Sequence, residues 1–263
     1  MKIIVLGDSW AMGEWGRSLY NDNPAITHNG LSQYLEEDGH EVIRATLGGQ
    51  SNTSILDLLE QKLEEIGSVD FVFWFQTDPM RDILFRTEKK FENKIGYNER
   101  TEASRVKIHL EFDIKRSNYE DIKSYKDVIN KNLFYLKQAY EKGHNIAERF
   151  GIKIHCIGGL GKLNLELMKP YSSLVPLIES LLEFIYPNLE SPEFTSLNSY
   201  WRQILLEKVE FDSESIDYFY KQYELDQLMQ TEMCREYFYP DGTHPNRKAH
   251  KVVHNQIKKI LNI

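Results

Sequence analysis

Short apolar runs rich in β-branched and aromatic residues alternate along this chain with segments of helical period. Residues 2–7, KIIVLG, are apolar at successive positions, as in a strand buried on both faces. Three similar runs follow: HEVIRAT at 40–46, SVDFVFWFQTD at 68–78 and GIKIHCIGG at 151–159. Between them, NTSILDLLEQKLEEIG at 52–67 places Ile55, Leu58, Leu59, Leu63 and Ile66 on one helical face, with Ser51 or Asn52 positioned to cap it. A shorter helix is predicted over 30–38, stopped by Gly39, and another over about 126–149. At the C-terminus, NRKAHKVVHNQIKKILNI puts Ala249, Val252, Val253, Ile257, Ile260 and Leu261 on one stripe.

Strands that alternate with helices form parallel βαβ units, and strands apolar on both faces need helices on both sides. The expected fold is a three-layer α/β/α sandwich around a doubly wound, flavodoxin-like parallel sheet. Two stretches depart from the alternation, 79–150 and 160–236. No strand is evident in the second, and YSSLVPLIESLLEFIY at 171–186 reads as apolar helix. Both are expected to be largely helical insertions within a single domain spanning 1–263, forming a lid or subdomain over the strand ends.

Ligands of doubly wound sheets bind outside the carboxyl ends of the strands, so the residues that follow each strand carry the candidate chemistry. Gly7, Asp8 and Ser9 follow the first strand; Gly48, Gly49, Gln50, Ser51 and Asn52 follow the second; Gln76, Thr77 and Asp78 follow the third. Near the C-terminus stands DGTHPN, with Asp241, His244, Pro245 and Asn246. A serine, glycine-rich backbone donors and an Asp/His pair at one sheet edge are the components of acyl transfer. A serine hydroxyl needs a base within hydrogen-bond reach. His244 is the candidate, and Asp241 is placed to hold its tautomer. Oxyanion donors are expected from the backbone of Ser9 and Gly49 and from a side chain after the third strand.

These residues resemble the SGNH/GDSL hydrolases, whose four motif blocks supply Ser, Gly, Asn and His. VLGDSW corresponds to the first block, with Trp10 where the family commonly has leucine. Gly49 in LGGQSN stands in the place of the oxyanion glycine, and DGTHPN matches the closing Asp-x-x-His-Pro ahead of a C-terminal helix. The blocks span residues 5 to 246. The third block departs from the family's Gly-x-Asn-Asp and reads Phe75-Gln76-Thr77-Asp78. The resemblance implies Ser9, Asp241 and His244 as catalytic residues and Ser9, Gly49 and Thr77 as the oxyanion hole, with Gln76 or Asn52 as alternatives to Thr77. Trp10, Gln50, Asn52, Gln76 and Asp78 are candidate pocket residues. It implies ester hydrolysis without a metal or organic cofactor. The suggested substrate is a small-molecule or glycan ester, such as an O-acetyl group on a polar carrier. A catalytically weakened binding or assembly protein, or an acyltransferase using the same acyl-enzyme, remain the alternatives.

Composition narrows the partners. The 263 residues carry a net charge of −8, which disfavours a dedicated nucleic-acid binder. Residues 1–9, MKIIVLGDS, lack the long apolar region and small-residue cleavage site of a signal peptide, and no stretch approaches the roughly 18 apolar residues of a membrane span, so a cytoplasmic protein without membrane partners is expected. The two cysteines, Cys156 and Cys234, suggest no disulfide framework. His250 and His254 are spaced i, i+4 without the glutamate of a zinc-protease helix, and read as a solvated helix face. GGLGK at 158–162 lacks the phosphate-loop spacing and reads as a loop bordering the pocket, while the aromatic stretch at 200–223 reads as helix packing. The oligomeric state is left open.

Overall fold

The computed structural model describes residues 1–15, 26–48, 50–79, 81–82, 125–159, 161–189, 236–238 and 244–261. Most of the two expected insertions, including 83–124 and 190–235, lies outside these residues, as do Gly49, Asp241 and Cys234.

Strand β1 (Lys2–Gly7) leads into a four-residue helix, α1 (Ser9–Met12). A small ribbon follows, β2 (Glu14–Trp15) paired antiparallel with β3 (Ile26–His28). Then come α2 (Gly30–Glu37), β4 (Glu41–Thr46), α3 (Asn52–Ile66), β5 (Phe71–Phe75) and the long α4 (Tyr125–Phe150). The described chain is completed by β6 (Ile154–Ile157), α5 (Leu165–Met168), β7 (Leu174–Ile178), α6 (Leu181–Ile185) and α7 (Arg247–Leu261). The main sheet has the order β4-β1-β5-β6-β7, and all its strands run parallel. In this doubly wound order the chain first moves outward from β1 to β4, then to β5 on the other side, so the switch point lies between β1 and β5. None of the described helices is long and apolar enough to cross a membrane.

Strand alternation divides the core. Ile3, Val5, Phe73 and Phe75 face one way and pack with Leu31 and Leu35 of α2, Leu181 and Leu182 of α6, and Val253 and Ile257 of α7. Ile4, Leu6, Val72 and Trp74 face the other way, against Ile55, Leu56, Leu59 and Leu63 of α3 and Leu136, Ala139 and Tyr140 of α4. Each such fully buried aliphatic side chain contributes about 1.5–3 kcal/mol relative to exposure. Cys156 is a buried free thiol whose pKa is pushed up by burial.

Two sequence expectations are corrected here. Residues 174–178 form a fifth strand rather than part of a helix. The run LVPLIES mimics helical spacing, but parallel pairing with β6 fixes it as extended chain. Among the described residues β7 is a sheet edge, where a proline such as Pro176 is tolerated. The His250/His254 face of α7 is also buried rather than solvated. It packs on α2, and the ring of His250 lies so close to Gly30 that a Cβ there would come within 2.8 Å of it.

Candidate active site

The loop that carries Ser9 is built by Gly7 and Asp8. Gly7, at φ +151, ends β1 where a Cβ would approach Ala11 and Phe75 at 2.7 and 2.8 Å, so only glycine fits. Asp8 then caps α1: its Oδ1 accepts from Trp10 N at 2.9 Å, and its carbonyl accepts from Ala11 N and Met12 N. This turn holds Ser9 at the carboxyl end of β1, at the switch point. His244 arrives from the far end of the chain, and its Nε2 stands 2.9 Å from Ser9 Oγ.

His244 is held by its flanks. Asn246 caps α7, its Oδ1 accepting from Lys248 N at 2.8 Å and Ala249 N at 3.3 Å, while its main-chain N–H donates to Tyr237 O at 2.8 Å. Phe238 pairs with Pro245 across an isolated bridge and packs on Trp10 at 5.8 Å between ring centroids. Trp10 thereby does two jobs: its ring is nearly buried against Phe238, and it lines a cavity beside the loop that carries Ser9.

A residue that the sequence did not single out joins the segments that carry Ser9 and His244. Glu14, on β2, accepts from Arg247 N at 2.8 Å, Nε at 2.8 Å and Nη2 at 2.9 Å. Burial pushes this carboxyl up, but the Arg247 hydrogen bonds and charge outweigh it and hold the pKa at about 2. The clamp ties the strand that follows Ser9 to the helix that follows His244. Replacing Glu14 by alanine should destabilise the fold by roughly 1–3 kcal/mol near neutrality. The folded pKa lies below the ordinary 4.5, so this contribution is present above that pH and fades as pH falls towards 2. Urea unfolding of wild type and Glu14→Ala across that range checks it; a stability difference that stays constant with pH would count against the clamp.

After β5, Thr77 lines the site, but both of its donors are already engaged. Its hydroxyl donates to Asp8 Oδ2 at 2.8 Å, and its N–H donates to Asn52 Oδ1 at 2.9 Å. The expected side-chain oxyanion donor is therefore engaged elsewhere, because a buried carboxylate is the stronger acceptor within reach. Arg81 Nη1 donates to the same Asp8 oxygen. Asn52, also an expected pocket residue, is buried in the same network: its Nδ2 donates to Thr77 O at 2.9 Å and to Asp82 Oδ2 at 3.1 Å. Asp82 further accepts from Asn52 N at 3.2 Å and Thr53 N at 2.8 Å, satisfying the first turn of α3 from outside the helix. Burial raises the Asp82 pKa against these donors.

Neither Arg81 nor Asp82 was singled out from sequence, although both follow β5 in DPMRD, where the strand-end rule could have found them. Gln50 is buried, and among the described residues its Nε2 has no partner. Asp78 lines the cavity with Asp8, Trp10, Gln76, Thr77, Pro79 and Arg81, closed on the β6 side by Gly159, Gly161 and Lys162. GGLGK thus borders the cavity. The cavity is small, about 50 Å³.

No family model matches the chain, and no curated protein does. Solved structures to which the chain is similar include the psychrotrophic esterase EstA from Pseudoalteromonas sp., in a form inhibited by monoethylphosphonate. It is 13% identical, the match covering 100% of this chain and 99% of that one, with a TM-score of 0.40. TesA is 12% identical over 99% of this chain and 98% of its own, with a TM-score of 0.39.

Proposed function

We propose that this protein is a serine ester hydrolase of the SGNH/GDSL type, with Ser9 as nucleophile and His244 as general base. The observation that carries the reading is the 2.9 Å separation of Ser9 Oγ and His244 Nε2, across 235 residues of sequence. As Oγ bonds to the ester carbonyl carbon, its proton passes to Nε2. The imidazolium then returns that proton to the departing alkoxide, which leaves as an alcohol. Water attacks the acyl-enzyme with the same nitrogen taking its proton, and the carboxylic acid and free Ser9 are regenerated. Nε2 must be the unprotonated nitrogen at the start, so Nδ1 carries the hydrogen, and Asp241 is the proposed acceptor for it. The Ser9 and Gly49 amides are the proposed oxyanion donors. A cavity of about 50 Å³ with polar and charged lining favours a small acyl group on a polar carrier, such as an acetyl ester of a glycan.

Incubation with a fluorophosphonate probe tests the reading. Folded wild type is expected to be labelled stoichiometrically on the peptide containing Ser9. A folded protein that stays unlabelled overturns the hydrolase reading, and label that persists in Ser9→Ala overturns the choice of nucleophile.

A further inference from the structure

We infer that Gln76 is the side-chain donor to the substrate's carbonyl oxygen and that Tyr140 fixes which way its amide points; this rests on the ester-hydrolase reading above. Of the three side chains that the sequence offers as oxyanion donors, Thr77, Asn52 and Gln76, two are already engaged. Both Thr77 donors are committed, the hydroxyl to Asp8 and the amide to Asn52. The two hydrogens of Asn52 Nδ2 go to Thr77 O and Asp82 Oδ2. Gln76 differs. Among the described residues nothing accepts from its Nε2, and the residue lines the cavity together with Asp8 and Trp10, the immediate neighbours of Ser9.

The direction of the Gln76 amide follows from a chain of donors. Asn164 N–H can only donate, and it does so to Tyr140 Oη at 3.2 Å. The single hydroxyl proton of Tyr140 is then directed to Gln76 at 2.6 Å, and a proton facing a primary amide selects its carbonyl oxygen, Oε1. Nε2, with two hydrogens, is left on the other side of the group. Tyr140 cannot readily abandon this task. It is buried on α4, stands edge-on to Trp74 at 6.2 Å, and burial raises its pKa so that the proton stays on. The main chain of Gln76 is pinned as well, its N–H donating to Ile157 O at 2.9 Å. A donor oriented before substrate arrives costs no reorganisation when the oxyanion forms.

The test uses p-nitrophenyl acetate hydrolysis by the full chain. Gln76→Glu keeps shape and the Tyr140 contact but turns the donor into an acceptor; Gln76→Met keeps length without polarity. Each is expected to lower kcat by roughly 10²–10³ with a much smaller change in KM. Tyr140→Phe is expected to lower kcat roughly tenfold in the wild-type background and to have no further effect on Gln76→Met, since it acts through the amide. Thermal melts confirm that each variant is folded. If wild type is labelled by fluorophosphonate at Ser9 but both Gln76 variants keep kcat within about threefold, the Gln76 assignment falls and the hydrolase reading stands. If Tyr140→Phe costs the same in both backgrounds, its positioning role falls. If wild type is not labelled, both fall together.

Discussion

Ser9→Ala and His244→Ala are each expected to cut kcat on p-nitrophenyl acetate by roughly 10⁴–10⁶, and the double variant by no more than the stronger single change. The expectation follows from the 2.9 Å contact between Oγ and Nε2. Without the imidazole the hydroxyl keeps its proton and is a poor nucleophile; without the hydroxyl the imidazole has nothing to activate. Two groups that act as one unit lose their effect once, not twice. Neither change should threaten folding: Ser9 loses only an oxygen atom, and α1 is capped by Asp8, not by Ser9. Steady-state kinetics on the three variants, with circular dichroism melts as control, decides it. Additive losses, or His244→Ala within tenfold of wild type, would rule out the pairing.

Acid should weaken the fold through a histidine remote from catalysis. His250 is fully buried between Phe75, at 5.9 Å between centroids, and the Gly30 backbone, and among the described residues neither ring nitrogen has a hydrogen-bond partner. Burial pulls its pKa down to about 3; the nearby His28 adds to the effect and Glu14 opposes it. The unfolded chain takes up a proton near pH 6.5, and the folded one does not until about 3. Stability present above 6.5 is therefore lost as the pH falls towards 3, at about 1.4 kcal/mol per pH unit from this group. His250→Leu fills much the same space without a proton to gain. Unfolding free energies measured in urea between pH 7 and 4 should fall less steeply for the variant, by about that slope. Parallel curves would show that His250 is not the group responsible. His28, His155 and His254, whose pKa values burial also lowers, contribute to the residual slope in both proteins.

The fold was legible where hydropathy has a single interpretation. KIIVLG and FVFWF are apolar on both faces and too short to be helices, and they became β1 and β5. β7 was hidden because LVPLIES satisfies a helical spacing as well as an alternating one, and only the free edge of β6 selects between them. The buried face of α7 was misread at His250 and His254, since an imidazole counts as polar by type but packs as an aromatic ring when neutral. His254 is held there by Asp38 at 2.7 Å. In the site, the contact between Ser9 and His244 was foreshadowed because GDS directly follows the first strand and DGTHPN directly precedes the last helix, so both fall at one sheet edge. The role of Thr77 was not, because its hydroxyl is claimed by a carboxylate 69 residues away in the chain. Tyr140 gave no signal at all, being one more aromatic on the apolar stripe of α4.

The proline in β7 has a consequence for how copies of this molecule meet. Ser173 O accepts from Ile154 N, so the backbone groups of residue 173 face β6, and by alternation those of Pro176 face away. At the middle of that edge the sheet thus offers a pyrrolidine ring in place of an N–H. An incoming strand would find its hydrogen-bond ladder interrupted there, so this edge, unpaired among the described residues, is a poor template for fibril growth, and replacing Pro176 with a β-branched residue would remove that protection.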